Sequence, residues 1–221
     1  MAASSSDFAV SLFIACLDPY SLGRFEGDTM GTVNRAWANN QLRHCRNSAL
    51  LTLAAMQMIN SNLSEVLNDK LIVITPNEMI FNAGQADRKG KRYEVNLGQI
   101  ATEFRSNQPR LVESLEELWK FVRRNLCKES FEVTKAYANS VGCFSALQAA
   151  SWYPYARTVR NSISHDFHFR FTARDLSRLP VTWNGRIIDA SMHGKDLTND
   201  LLDPYTSWSL HDEMVAFVNT H

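Results

Sequence analysis

Leu111, Leu115, Leu118, Trp119, Val122 and Leu126 recur at intervals of three and four residues, and only an α-helix gathers such positions on one face. A helix with so wide an apolar stripe must bury it against other elements, so the chain is read first as helix packed on helix. Asn107 is placed to cap this helix and Pro109 suits its first turn. Glu113, Glu116 and Lys120 fall off the apolar stripe, which marks a core-facing helix rather than a cofactor-binding one.

The same period recurs along the chain. Residues 8–17 form an amphipathic segment capped by Ser5, Ser6 or Asp7 and stopped by Pro19 and the glycines at 23, 27 and 31. A long helix is expected from Val33 to Leu67, with Trp37, Leu42, Leu50, Leu53, Met56, Ile59, Leu63 and Val66 at helical intervals. Another is expected from Glu132 to Trp152, burying Val133, Ala136, Tyr137, Val141, Phe144 and Leu147. Pro154 restarts the chain as a helix to Phe167. A last helix runs from Ser209 to Val218, with Ser209 and Asp212 as its capping box and Leu210, Met214, Phe217 and Val218 facing inward.

Two regions break the helical period. Between 70 and 97, Leu71–Thr75, Met79–Phe81 and Tyr93–Leu97 read as two or three short strands around a polar loop. Arg88, Lys89, Lys91 and Arg92 in that loop read as a solvated turn. Over 181–188, Asn184-Gly185 lies between β-formers and predicts a type I′ hairpin. The fold class is therefore mainly α, a single domain over 1–221 with small β-hairpin attachments.

Composition narrows the function. The 23 Lys and Arg balance 23 Asp and Glu, so any basic site must be local. Apolar runs are only a few residues long, too short to span a membrane. The stretch ending at Cys16 faintly resembles a lipoprotein cleavage box, but no Lys or Arg precedes it and Asp7 sits where that charge belongs. Cys16, Cys45, Cys127 and Cys143 form no C-x-x-C pair and are read as reduced, mostly buried thiols of a cytoplasmic protein. No cofactor motif is found: the chain has no phosphate-cradling glycine loop, nucleophile elbow or H-E-x-x-H.

The chemistry gathers in the segment from Arg157 to His168, which Tyr155, Val159, Ile163 and Phe167 anchor to a core. Asn161 and His165 lie one helical turn apart, on nearly the same face. Arg160 precedes His165 by five positions, so it is turned ~140° from it and the two do not simply stack. A guanidinium keeps its charge and grips phosphate with a fork, while an imidazole exchanges protons near neutrality. Together they suit attack of an RNA 2′-hydroxyl on its adjacent phosphodiester. His165 would move the proton, Arg160 would stabilise the transition-state charge, and Asn161 would orient the ring or a phosphate oxygen. In-line transfer needs two proton-handling groups, so one such His per chain calls for a symmetric dimer.

Arg160-Asn161-Ser162-Ile163-Ser164-His165 resembles the R-x4-6-H motif of the HEPN superfamily, in the variant with a polar residue after the arginine. The resemblance is carried best by residues 107–170. It implies an up-and-down helical bundle, dimerisation through the motif helices and metal-independent endoribonuclease activity. It also implies a toxin–antitoxin or phage-defence setting, with an antitoxin or nucleotidyltransferase-type protein as partner. Some members are inactive and only bind RNA, nucleotides or proteins, which is the alternative function. Arg157, Arg170, Arg174 and Arg178 flank the motif, with Phe169 and Phe171 around Arg170. Arg157, Arg170 and Arg174 are the expected RNA-backbone contacts, with bases stacking on the phenyl rings. The structural alternative makes Arg160 a surface ion-pair residue and His165 a helix C-cap. His165-Asp166 with His168 would suit a metal phosphohydrolase, but His44 and His193 supply no recognisable ligand spacing, so no metal is expected.

Overall fold

The computed structural model describes residues 33–66, 71–74, 93–96, 102 and 106–221. They belong to two compact units, one holding the described residues from Leu51 to Trp119 and the other those up to Leu50 and from Lys120 to His221. Helix is the dominant element, as the apolar period predicts. The segment at 8–17, the strand at Met79–Phe81 and the Arg88–Arg92 loop lie outside the described residues.

Helix α1 (Arg35–Val66) matches the expected long helix and supplies residues to both units. In the first unit, β1 (Leu71–Ile74) and β2 (Tyr93–Asn96) pair antiparallel, with Leu71 opposite Asn96 and Ile74 opposite Tyr93. Helix α2 (Gln108–Arg123) begins where Asn107 predicts, and the Asn107 Oδ1 accepts the Arg110 N–H at 3.4 Å. Leu111 is buried while Glu113 and Glu116 are exposed.

In the second unit, α2 runs without interruption into a π-helical turn, Arg124–Glu129, and then into α3 (Ser130–Ser140). The Ser130 N–H reaches back five residues to the Asn125 carbonyl. This wide turn is uncommon and left no trace in the apolar period. The expected helix from Glu132 to Trp152 is two helices. Gly142 takes φ +76°, a conformation side chains disfavour, and α4 (Phe144–Ala149) starts afresh beyond it. Helix α5 (Tyr153–Ser164) has Pro154 in its first turn, as expected, but stops three residues short of Phe167.

The core of this unit forms where α3, α5 and the π turn meet the C-terminal helix α7 (Pro204–Thr220). Leu126, Tyr137, Val159, Leu210 and Met214 are essentially inaccessible to solvent. The rings of Trp152 and Phe217 meet edge-on, 6.3 Å apart. Ala38 and Leu42 of α1 close over Tyr137 and Val218. The expected inner face of α7 is buried throughout.

Beyond α5 come a single-turn helix α6 (Ala173–Leu176) and a hairpin of β3 (Val181–Trp183) and β4 (Arg186–Ile188). The hairpin turns on Asn184 and Gly185, both at positive φ, as their dipeptide predicts. Helix α7 starts earlier than expected, and its cap is Asp203 rather than the Ser209–Asp212 box. Asp203 Oδ1 accepts the Thr206 N–H at 2.6 Å, and Oδ2 receives Arg186 of β4 at 2.5 Å. Those bonds hold its carboxyl below the ordinary range, the Thr206 backbone bond foremost. Asp203→Ala removes both bonds. The expected loss is about 1 kcal/mol, a fall of roughly 2–4 °C in Tm readable by calorimetry.

Candidate functional site

Helix α5 carries every residue of the expected motif except His165, which is its C-cap. Its apolar residues Tyr155, Val159 and Ile163 are buried, so the register of the helix is fixed and its polar residues are forced onto the remaining faces. The Tyr155 hydroxyl pins the start of the helix by donating to the Leu201 carbonyl at 2.5 Å.

His165 sits at the exposed end. Its backbone N–H closes the helix on the Asn161 and Ser162 carbonyls, while its ring makes no hydrogen bond or ion pair among the described residues. The next two residues, Asp166 and Phe167, both adopt left-handed conformations, at φ +57° and +63°. This explains why the helix stops early. Such geometry costs a phenylalanine roughly 1–2 kcal/mol and persists only where the surroundings enforce it.

The enforcing contacts are visible. Phe167 is buried, with the Arg124 guanidinium 5.5 Å from its ring centre, and Arg124 also lies 3.6 Å from the Asp166 carboxylate. The Leu197 N–H donates to the Phe167 carbonyl at 2.6 Å, and Phe169 exchanges backbone bonds with Gly194 and Lys195. His168 Nδ1 lies 2.7 Å from the Asp166 carbonyl and Nε2 lies 2.8 Å from the Asp196 carboxylate.

Arg160 is placed differently from the expectation of a free phosphate ligand. It forms an ion pair with Glu132 of α3, both side chains being about one-third exposed. Its Nη1 donates to Asn161 Oδ1 at 3.2 Å. Glu132 was invisible as a site residue in the sequence, because it lies 28 positions away on another helix. The ion pair realises the structural alternative for Arg160 without removing the guanidinium from solvent.

Asn161 belongs to a second feature. With Arg157 and Ser162 it lines a small cleft closed on its far side by the segment from Phe169 to Val181. The cleft has a volume of about 30 Å³. Arg170 and Arg178 line it too; Arg160, His165 and Arg174 do not. Arg157 is held 3.1 Å from Asp175. Burial opposes ionisation of Asp175, but the bonds from Thr172 and the charges of Arg157 and Arg178 outweigh it and hold the carboxyl below its ordinary range. Phe171 packs beside Phe169 and beside the His193 ring, at 5.6 and 5.9 Å. Of the expected RNA contacts, Arg157 and Arg170 therefore converge, and Arg178 takes the place given to Arg174.

Other reactive groups are closed off. Burial pushes the Cys127 thiol up to about 12 and the Cys45 thiol up to about 11, so neither offers a thiolate at neutral pH. Cys45, Cys127 and Cys143 are free, and Cys16 lies outside the described residues. Among the described residues no group of three or more His, Cys, Asp or Glu is placed to hold a metal ion, and no helix is long and apolar enough to cross a membrane. Comparisons with family models, with curated proteins and with solved structures find no match to this chain.

Proposed function

We propose that the protein is a metal-independent endoribonuclease of HEPN type, acting as a cytoplasmic homodimer, with a toxin–antitoxin or phage-defence role. The observation that carries this reading is the exposed imidazole of His165, without a partner among the described residues, at the end of the helix whose Arg160 and Asn161 are hydrogen-bonded to each other. An imidazole with no internal partner is available to exchange protons with a substrate. Two residues in left-handed conformation directly behind it, held by the packing of Phe167, fix the position of the helix end that bears it.

In this mechanism RNA lies along α5. The ring of His165 removes the 2′-hydroxyl proton, and the His165 of a second copy protonates the leaving 5′-oxygen. Arg160 binds the developing negative charge. Its bond to Asn161 aims the guanidinium along the helix, and Glu132 holds it until the phosphate arrives. Exchange of one carboxylate for another anion keeps the guanidinium paired throughout.

Cleavage of a labelled RNA in EDTA tests the reading directly. The expected products end in 2′,3′-cyclic phosphate, and the rate is the same with and without chelator. Products with 3′-hydroxyl ends, or complete loss of activity in EDTA, would remove the proposal. The Arg160–Glu132 ion pair favours a second reading, an RNA- or nucleotide-binding module without turnover. That reading gives binding and no cyclic phosphate.

A further inference from the structure

The cleft beside α5 has a composition that the cleavage reading leaves unused. Three arginines line it against a single aspartate, an excess of two positive charges in a chain whose formal net charge is zero. Asp175 is fully engaged: Oδ2 accepts from the Thr172 N–H and hydroxyl, and Oδ1 faces Arg157. The guanidinium groups of Arg170 and Arg178 are left with no ion pair among the described residues.

The floor is also incomplete. Ser162 lines the cleft with 1% of its surface exposed, and its buried hydroxyl has no hydrogen-bond partner among the described residues. A buried hydroxyl is normally satisfied, so an orphan one in a cationic cleft points to an absent acceptor. Asn161 is biased the same way. Arg160 only donates, so it fixes the amide oxygen on its own side and leaves Nδ2 free to donate.

We propose that this cleft binds a phosphomonoester, the terminal phosphate of a nucleotide or of an RNA end. A monoester carries close to two negative charges at neutral pH, against one for an internal phosphodiester, and so matches the excess of two. Arg170 and Arg178 grip its oxygens from the open side, and Ser162 and the Asn161 amide donate from the floor. The closed part of the cleft holds only a few water-sized volumes, enough for a tetrahedral anion and not for a base. The base lies outside, against Phe171 and the His193 ring. His193 Nδ1 accepts the Phe171 N–H at 3.0 Å, which leaves Nε2 as the donor toward that base. This site goes beyond the cleavage reading, since it can fill whether or not His165 turns over.

Calorimetric titration of the full-length chain with AMP and with adenosine tests it. Full-length His165→Ala protein is titrated in parallel with 5′-phosphorylated and 5′-hydroxyl forms of one short RNA. AMP is expected to bind at least about tenfold more tightly than adenosine, and the double variant Arg170→Ala/Arg178→Ala is expected to reduce that preference to about twofold or less. Both arginines are exposed, so the variant keeps its fold, which circular dichroism checks. A preference for phosphorylated RNA as large as that for AMP identifies the RNA end as the natural source, and a preference for AMP alone identifies a free nucleotide. Equal binding of AMP and adenosine, or a phosphate preference that survives the double variant, overturns the proposal. Neither result depends on RNA cleavage, so failure of the nuclease reading is seen separately, in the cyclic-phosphate assay.

Discussion

Under the proposed mechanism His165→Ala is expected to slow RNA cleavage by about 10²–10⁴-fold, while the helical circular dichroism spectrum and the melting temperature stay where they were. The two halves of this expectation rest on one observation. The ring of His165 is exposed and makes no hydrogen bond or ion pair among the described residues, so its removal leaves no buried group unsatisfied. Surface changes of that kind stay within about 0.5 kcal/mol. The backbone bonds that close α5 on His165 use its N–H and are retained by alanine. A purely capping role for the ring would instead lower the melting temperature and leave cleavage intact. Measured together, cleavage and melting therefore separate chemistry from architecture, and a variant that still cleaves at the native rate ends the proposal.

The second large effect concerns a different histidine. His211 on α7 is fully buried and its Nδ1 lies 2.9 Å from the Ser130 hydroxyl. That hydroxyl donates to the Asn125 carbonyl at 3.0 Å, so it accepts from Nδ1–H, and Nε2 is left as a bare lone pair without a partner among the described residues. A proton placed on Nε2 would be a charge with nothing to receive it. Burial, aided by the positive charge of Arg46 and opposed by Asp212, pushes the ring down to about 4 from its ordinary 6.5. The sign follows from where the proton goes. Between pH 6.5 and about 4 the unfolded chain takes up a proton that the folded chain refuses, so acid favours unfolding. Stability is complete above pH 6.5 and falls by about 3 kcal/mol on the way to pH 4. Denaturant titrations at a series of pH values read this as a steadily falling midpoint. In His211→Gln, which does not titrate, the fall over that window shrinks to the contributions of the carboxylates. An unchanged acid limb in that variant would show that His211 is not its source.

What the sequence made legible follows the range of the interactions concerned. The β3–β4 turn was readable because Asn184 and Gly185 are the residues their own conformations demand. The inner face of α7 was readable because Leu210, Met214, Phe217 and Val218 repeat at the helical period. The start of α7 carries two competing local signals, the Asp203-Pro204 cap that the structure uses and Ser209, which stands directly before the apolar stripe beginning at Leu210. The break at Gly142 is likewise a local signal, masked in the sequence by the apolar residues on either side of it. By contrast, nothing local announces the end of α5. Asp166 tolerates positive φ but Phe167 does not favour it, and the pair is held there by Arg124, which meets both residues, and by the Leu197 N–H on the Phe167 carbonyl. The site divides in the same way. The polar content of α5 was plain from Arg157 to His165, whereas the pairing of Arg160 with Glu132 and the gathering of Arg170 and Arg178 around Asn161 depend on tertiary packing.

The two left-handed residues behind His165 also bear on how this protein could be made more heat-resistant. Replacing non-glycine residues at positive φ by glycine is a common first step, and here it divides. At Asp166 the side chain is largely exposed and its pairing with Arg124 is long, so glycine would relax the backbone and give up little. At Phe167 the same exchange would empty a buried ring position, and losing an aromatic side chain from a core costs about 3–5 kcal/mol against the roughly 1–2 that relaxation returns. An engineer hardening this fold should therefore treat the pair as one rigid corner and leave its second residue untouched.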